Sequence, residues 1–204
     1  MNGLLKKLTF AAPIVAVVLT LTPIAAQAQE IFPIEGGRTT VTLSKAFLAD
    51  VTAIKATPTS IVPSQLYNNQ IFFPITSGAI SLDTATGQIL HSGGITLTAG
   101  TKVVRLDSFI LNTLGEQPYV TALVVANGRF LGRINVFDAE LSSDLKLPLV
   151  PEDGDFFLSG TKLTLDPAGA AALNDAFGVK TFEDNLYIGY ALSLVFVPLN
   201  ADGI

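Results

Sequence analysis

From residue 29 onward the chain runs in short apolar stretches where every second side chain is Val, Ile, Leu or Phe, separated by Gly, Asn, Asp, Pro and Thr. A period of two places alternate side chains on opposite faces of an extended backbone, so one face is buried while the other meets water. Ile71, Phe73 and Ile75 alternate with Phe72, and Ile95 and Leu97 alternate with Thr96 and Thr98. Val104, Leu106 and Ser108 alternate with Val103, Arg105 and Asp107. Residues 120–125 and 130–137 flank Asn127-Gly128, a dipeptide that tolerates the positive φ of a type I′ turn, which predicts a hairpin. Residues 191–197 are apolar on both faces and predict a central strand. The pattern is that of a mainly β domain, and we expect an antiparallel β-sandwich.

Two segments break the β pattern and predict short helices. Asp166 is a capping residue, Pro167 suits the first helical position, residues 168–177 are rich in helix formers, and Gly178 suits the C-terminus. Ser44 precedes a shorter segment in which Phe47 and Val51 fall one turn apart on one face. The two helices have similar surroundings. Thr40-Val41-Thr42-Leu43-Ser44 precedes the first and Lys162-Leu163-Thr164-Leu165-Asp166 the second. An apolar strand follows each, which suggests an internal strand, helix, strand repeat.

The first 28 residues have a different design. Lys6 and Lys7 precede an apolar stretch over residues 8–21, and Ala26-Gln27-Ala28 forms a small-x-small cleavage signal. We therefore expect a signal peptide at 1–28 and a single β-rich domain at 29–204. The apolar stretch falls short of the ~20 residues of a spanning helix and is interrupted by Pro13 and Pro23, so no integral membrane segment is expected after cleavage. The expected compartment is periplasmic, cell-surface or extracellular. Strands that look shorter than the ~10 residues of a lipid-spanning barrel, together with a polar stretch at 200–204, argue against an outer-membrane barrel.

Removing two lysines and no acid with the leader takes the formal charge from -5 to about -7. Lys102/Arg105 and Arg129/Arg133 are isolated pairs among acids, which excludes a nucleic-acid footprint. The chain has no cysteine. That rules out a disulfide framework, a thiolate metal site, a cysteine nucleophile and a lipidated cysteine.

His91 is the sole histidine. Any Ser/His/Asp relay would have to use it, yet no nucleophile-elbow motif is present, and Ser92 is adjacent only in sequence. A zinc site needs several N or S ligands, which this chain does not supply. Gly93-Gly94 marks a bulge or tight turn. Glu152-Asp153-Gly154-Asp155 reads as a solvated turn before a strand rather than a calcium loop, since its spacing is not the twelve-residue pattern. Asp107, Glu116, Asp138 and Glu140 are the acids from which a glycosidase-like pair would have to be drawn. The chain lacks Trp, which weakens a carbohydrate reading.

The stretch Gly87-Gln88-Ile89-Leu90-His91-Ser92-Gly93-Gly94-Ile95-Thr96-Leu97, followed by Val103-Val104-Arg105-Leu106 and the hairpin into Gly132-Arg133, resembles Htaa-type exported bacterial domains. The resemblance covers roughly residues 87 to 137 and implies a β-rich surface module, some relatives of which bind haem. It further implies an iron-ligating tyrosine near the first helix, supported by the histidine of the glycine-rich segment. His91 matches the supporting position. Asp50 stands where the tyrosine would fall, leaving Tyr67 or another tyrosine as the substitute.

These observations lead to an exported, non-catalytic module with a structural or binding role, whose partner is a protein or another envelope component. No catalytic residue, metal or obligatory cofactor is assigned. The alternative is a domain that binds haem or another apolar small ligand, with His91 and Tyr67 as its candidate ligand-binding residues.

Overall fold

The computed structural model describes residues 30–198. The leader expected at 1–28 and the polar stretch at 200–204 lie outside these residues. Strand β1 (Phe32–Ile34) leads into β2 (Gly36–Leu43), helix α1 (Lys45–Ala53), β3 (Thr57–Ile61), β4 (Gln65–Tyr67) and β5 (Gln70–Ile80). Next come β6 (Gly87–His91), β7 (Gly94–Ala99), β8 (Lys102–Asn112), β9 (Tyr119–Ala126) and β10 (Arg129–Glu140). The described chain finishes with β11 (Asp155–Leu165), helix α2 (Pro167–Phe177) and β12 (Tyr187–Phe196).

The expected sandwich is replaced by a closed barrel. Eight strands follow one another as β5-β2-β12-β11-β10-β9-β8-β6, and β6 pairs again with β5 to complete the ring, every pair being antiparallel. Alternating residues serve a sandwich and a barrel equally well, because both bury one face of each strand. What separates them is whether the two end strands meet, and that is a matter of non-local pairing and local coiling. Register shifts at Ile75/Ser77, Asn135/Phe137, Leu158/Thr161 and Asp107/Ile110 bend the strands toward closure.

Several strands also run longer than their sequence suggests. β5, β8 and β11 have 11 residues each and β10 has 12. Ser77-Gly78 and Ser159-Gly160 lie at or beside bulges within continuous strands. The inward face is filled by apolar side chains including Val104, Ala122, Val124, Leu158 and Val195. That is the reverse of a lipid-embedded barrel, whose apolar band faces outward. β12 is central, flanked by β11 and β2, yet its outward Leu192 and Phe196 stay 38% and 42% exposed because, among the described residues, no second layer covers them.

β2 and β11 run in the same direction, each being antiparallel to β12, so the helices that follow them lie at the same end of the barrel. β11 and β12, which flank α2, are antiparallel neighbours, and β2 is the antiparallel neighbour of β5, although β3 and β4 intervene between α1 and β5, so the two units match only in part. Ser44 Oγ accepts from the Phe47 N–H at 3.0 Å, and Asp166 Oδ1 accepts from the Ala168 N–H at 2.7 Å, so both caps form where expected. Pro167 opens α2 and Gly178 closes it in the left-handed region at φ 64°. Phe47 and Val51 are the buried side of α1, and Phe47 packs against Phe182 with ring centroids 6.4 Å apart. Asn127 and Gly128, at φ 51° and 81°, form the expected two-residue turn between β9 and β10.

Candidate functional site

His91 ends β6, in phase with the buried Gly87 and Ile89, so its ring enters the barrel lumen. Beyond it the strand bulges. A Cβ on Gly93, whose φ is +77°, would come within 2.2 Å of Ser64 Oγ and 2.6 Å of the Ile61 carbonyl, so only glycine lets the 61–64 turn close over it. The chain then continues as β7, and both β6 and β7 pair along β8. β8 bulges at the same level. Ser108, which alternation places inward, sits at φ 55° outside the phase, and Phe109 takes the inward position.

The imidazole is fully engaged. Nδ1 lies 3.3 Å from the Phe109 carbonyl, which can only accept, so the proton is assigned to Nδ1. Nε2 then accepts from the Thr39 hydroxyl at 2.7 Å, and the Thr39 oxygen accepts from Ser193 Oγ, also at 2.7 Å. Burial pushes the His91 pKa from 6.5 down to about 4, against smaller upward contributions from the Phe109 and Ile89 backbone. The ring is therefore neutral at pH 7. Ser92 makes backbone bonds to Pro74 and Ser64 and is not a partner of the imidazole.

Thr39 and Ser193 were not legible as site residues from composition or motif. The usable signal was phase: Thr39 falls in step with Val41 and Leu43, and Ser193 with Ala191 and Val195. A hydroxyl on the buried side of an apolar alternation needs a partner inside.

Two chambers of about 50 Å³ each occupy the lumen. One contains His91, Thr39, Ser193 and Thr161, and the other, under the helices, is walled by apolar residues such as Leu43, Phe47, Leu97 and Leu173. Phe73, Phe109 and Phe137 border both. Phe73 meets Phe109 edge-on at 5.1 Å and Phe109 stacks on Phe137 at 6.3 Å, so the three rings partition the lumen.

Tyr67 lies elsewhere. It is 69% exposed and pairs with Gln70, whereas His91 pairs with Ile75, roughly 17 Å further along β5 at ~3.4 Å per residue. Tyr119 accepts from Asn112, Tyr187 and Tyr190 are exposed on β12, and no tyrosine lines the His91 chamber. Asp50 is half-buried on α1. Of the four acids, Glu116, Asp138 and Glu140 border one open outer groove of about 910 Å³. Asp107 does not, being paired with Arg105 at 2.6 Å. Glu140 pairs with Lys162 at 3.2 Å, and burial, with the nearby Asp166 charge, raises the Asp138 pKa. The 152–155 segment is a tight turn in which Glu152 and Asp155 exchange backbone bonds.

This geometry defines a class: a small antiparallel barrel, closed by β6 and covered at one end by two helices. Among solved structures the chain is similar to the C-terminal domain of HtaA from Corynebacterium glutamicum, with a TM-score of 0.64 and 17% identity over 82% of this chain and 99% of that one. The N-terminal domain of the same protein gives a TM-score of 0.62 and 12% identity over 81% and 98%. The haem-binding protein HtaB of that organism gives 0.56 and 6% over 83% and 96%. The HtaA-type resemblance thus extends over most of the chain, at the level of fold. No family model and no curated protein sequence matches the chain.

Haem, the group these neighbours bring to mind, does not fit the residues around His91. The Nε2 lone pair is occupied by Thr39, the chamber is far below the ~300–1,000 Å³ of small-molecule pockets, and its wall offers no phenol. Among the described residues no helix is long and apolar enough to cross a membrane.

Proposed function

We propose that this chain is a non-catalytic binding domain of the cell envelope whose ligand is an apolar small molecule, haem being the one its fold neighbours point to. The whole-domain likeness to HtaA and to HtaB, the latter a haem-binding protein, carries this reading. The state of His91 supports the non-catalytic part of this reading alone, because a neutral, enclosed and doubly bonded imidazole suits packing rather than general acid–base chemistry. Its place outside the cytoplasm rests on the leader pattern at 1–28, and an envelope protein as partner belongs to the same proposal.

The test is a titration of the purified protein with hemin and, separately, with metal-free protoporphyrin IX. The expected outcome is a saturable change in porphyrin absorbance or fluorescence. Silence with both porphyrins would remove this reading and return the chain to a purely structural role.

A further inference from the structure

We infer that His91 is a clasp that closes the barrel, and that it is thereby withheld from the iron of any porphyrin this domain binds. The second half rests on the binding reading above; the first stands without it.

The closing strand is the weakest-tied of the ring. β6 has five residues, and only Gln88, Ile89 and Leu90 register against β8 before the chain bulges away. On its other side the pairing with β5 is interrupted between Ile75 and Ser77. His91 sits at the end of this short ladder and adds bonds that the backbone does not make. Its Nδ1–H reaches β8 at Phe109, its Nε2 reaches β2 at Thr39, and through Thr39 it reaches β12 at Ser193. One side chain thereby links four strands of the barrel.

The polarity of this chain of bonds excludes a second use for the ring. With Nδ1 donating to a carbonyl, the single remaining lone pair is on Nε2, and it already accepts from Thr39. Turning that lone pair to a metal would take the acceptor from the Thr39 hydroxyl and leave Thr39 and Ser193 with only each other as side-chain partners among Val41, Phe73, Leu111 and Val120. Losing one bond from a buried polar chain is destabilising. Phe73 also meets the imidazole edge-on at 6.5 Å, which holds the ring in its present plane.

The experiment combines a thermal double-mutant cycle with porphyrin spectra. Thr39→Val, Ser193→Ala and His91→Ala are each expected to lower Tm by about 3–10 °C. The Thr39→Val/His91→Ala double variant should fall little further than the worse single, because the bonds are lost as one unit. If His91→Ala does not fold, Thr39→Val with Ser193→Ala supplies the cycle. Hemin and metal-free protoporphyrin should bind the native protein with Kd values within about threefold of each other, and the hemin Soret band should be unchanged in Thr39→Val. Strictly additive Tm losses would overturn the clasp. Hemin bound at least ~10-fold tighter than the metal-free ring, lost in His91→Ala and strengthened in Thr39→Val, would overturn the ligand half. Absence of binding by either porphyrin would remove the binding reading and the ligand half together, leaving the clasp to stand or fall on the cycle.

Discussion

At the scale of single residues, His91 shows how a side chain can be conspicuous in sequence and still have its role set elsewhere. Its uniqueness was legible, whereas its inward phase with Ile89 was seen only in β6 itself. Its partners were not legible either, because Thr39 and Ser193 lie 52 and 102 positions away and only barrel closure brings them to it. The burial that makes the ring neutral has a measurable consequence. His91 titrates near 6.5 when unfolded and near 4 when folded, so the folded state binds the proton less readily. Its contribution is intact above pH 6.5, is lost as the pH falls, and levels off below about 4, for a total of about 3 kcal/mol. No other ionisable side chain lines its chamber. The expected result is that the stability difference between native protein and His91→Phe, from denaturant midpoints at pH 7.5 and pH 4, changes by about 3 kcal/mol. A difference that stays constant with pH would contradict the assignment.

At the scale of elements, local chemistry predicts well wherever a terminus or a turn decides the conformation. Ser44, Asp166 and Gly178 act as caps, and Pro167 as the first helical residue, because their requirements are met within a few residues. The Asn127-Gly128 turn follows from φ preferences alone. What Asn127 does beyond the turn was not visible. Its Oδ1 accepts from the Val103 N–H at 2.8 Å and its Nδ2 donates to the Ala176 carbonyl at 2.9 Å, which ties the hairpin to the last turn of α2. Lys102 Nζ donates to the adjacent Phe177 carbonyl and complements the negative helix end. Asn127→Gly keeps the backbone conformation and loses the tie, so it should cost about 1–3 kcal/mol. Asn127→Ala should cost about 1 kcal/mol more, from the positive φ. Equal stability of Asn127→Gly and the native protein would show that the tie is dispensable. Apart from the break at Gly93-Gly94, the bulges escaped the sequence reading. Ser108 fits the alternation yet leaves it, because a strand absorbs an extra residue only when its neighbours demand the bend.

At the scale of the whole molecule, the barrel joins the two ends of the described chain. β2 lies between β5 and β12, and β12 lies between β2 and β11, so the last strand completes the first. We therefore expect no stable intermediate in which β12 is missing. Ending the chain after Leu186 would remove two complete ladders together with Ser193. The expected outcome is loss of cooperative unfolding, checked by whether near- and far-ultraviolet circular dichroism still show one coincident transition. A sharp transition in that truncated chain would mean that the remaining strands form an independent core. The same closure separates this architecture from the sandwich that the alternation suggested, since the choice lies in β6 meeting both β5 and β8.

Within the described residues, near neighbours alone fixed the hairpin, the two capped helices and, up to the bulge at Ser108, the inward side of the strands read from alternation. Sheet closure, the exposed outer face of β12, the bulges and the contacts of His91 were decided only by tertiary structure. The reason is physical. A two-residue period states which side of a strand avoids water but carries no information about which distant strand lies beside it, and that choice depends on packing the whole lumen at once.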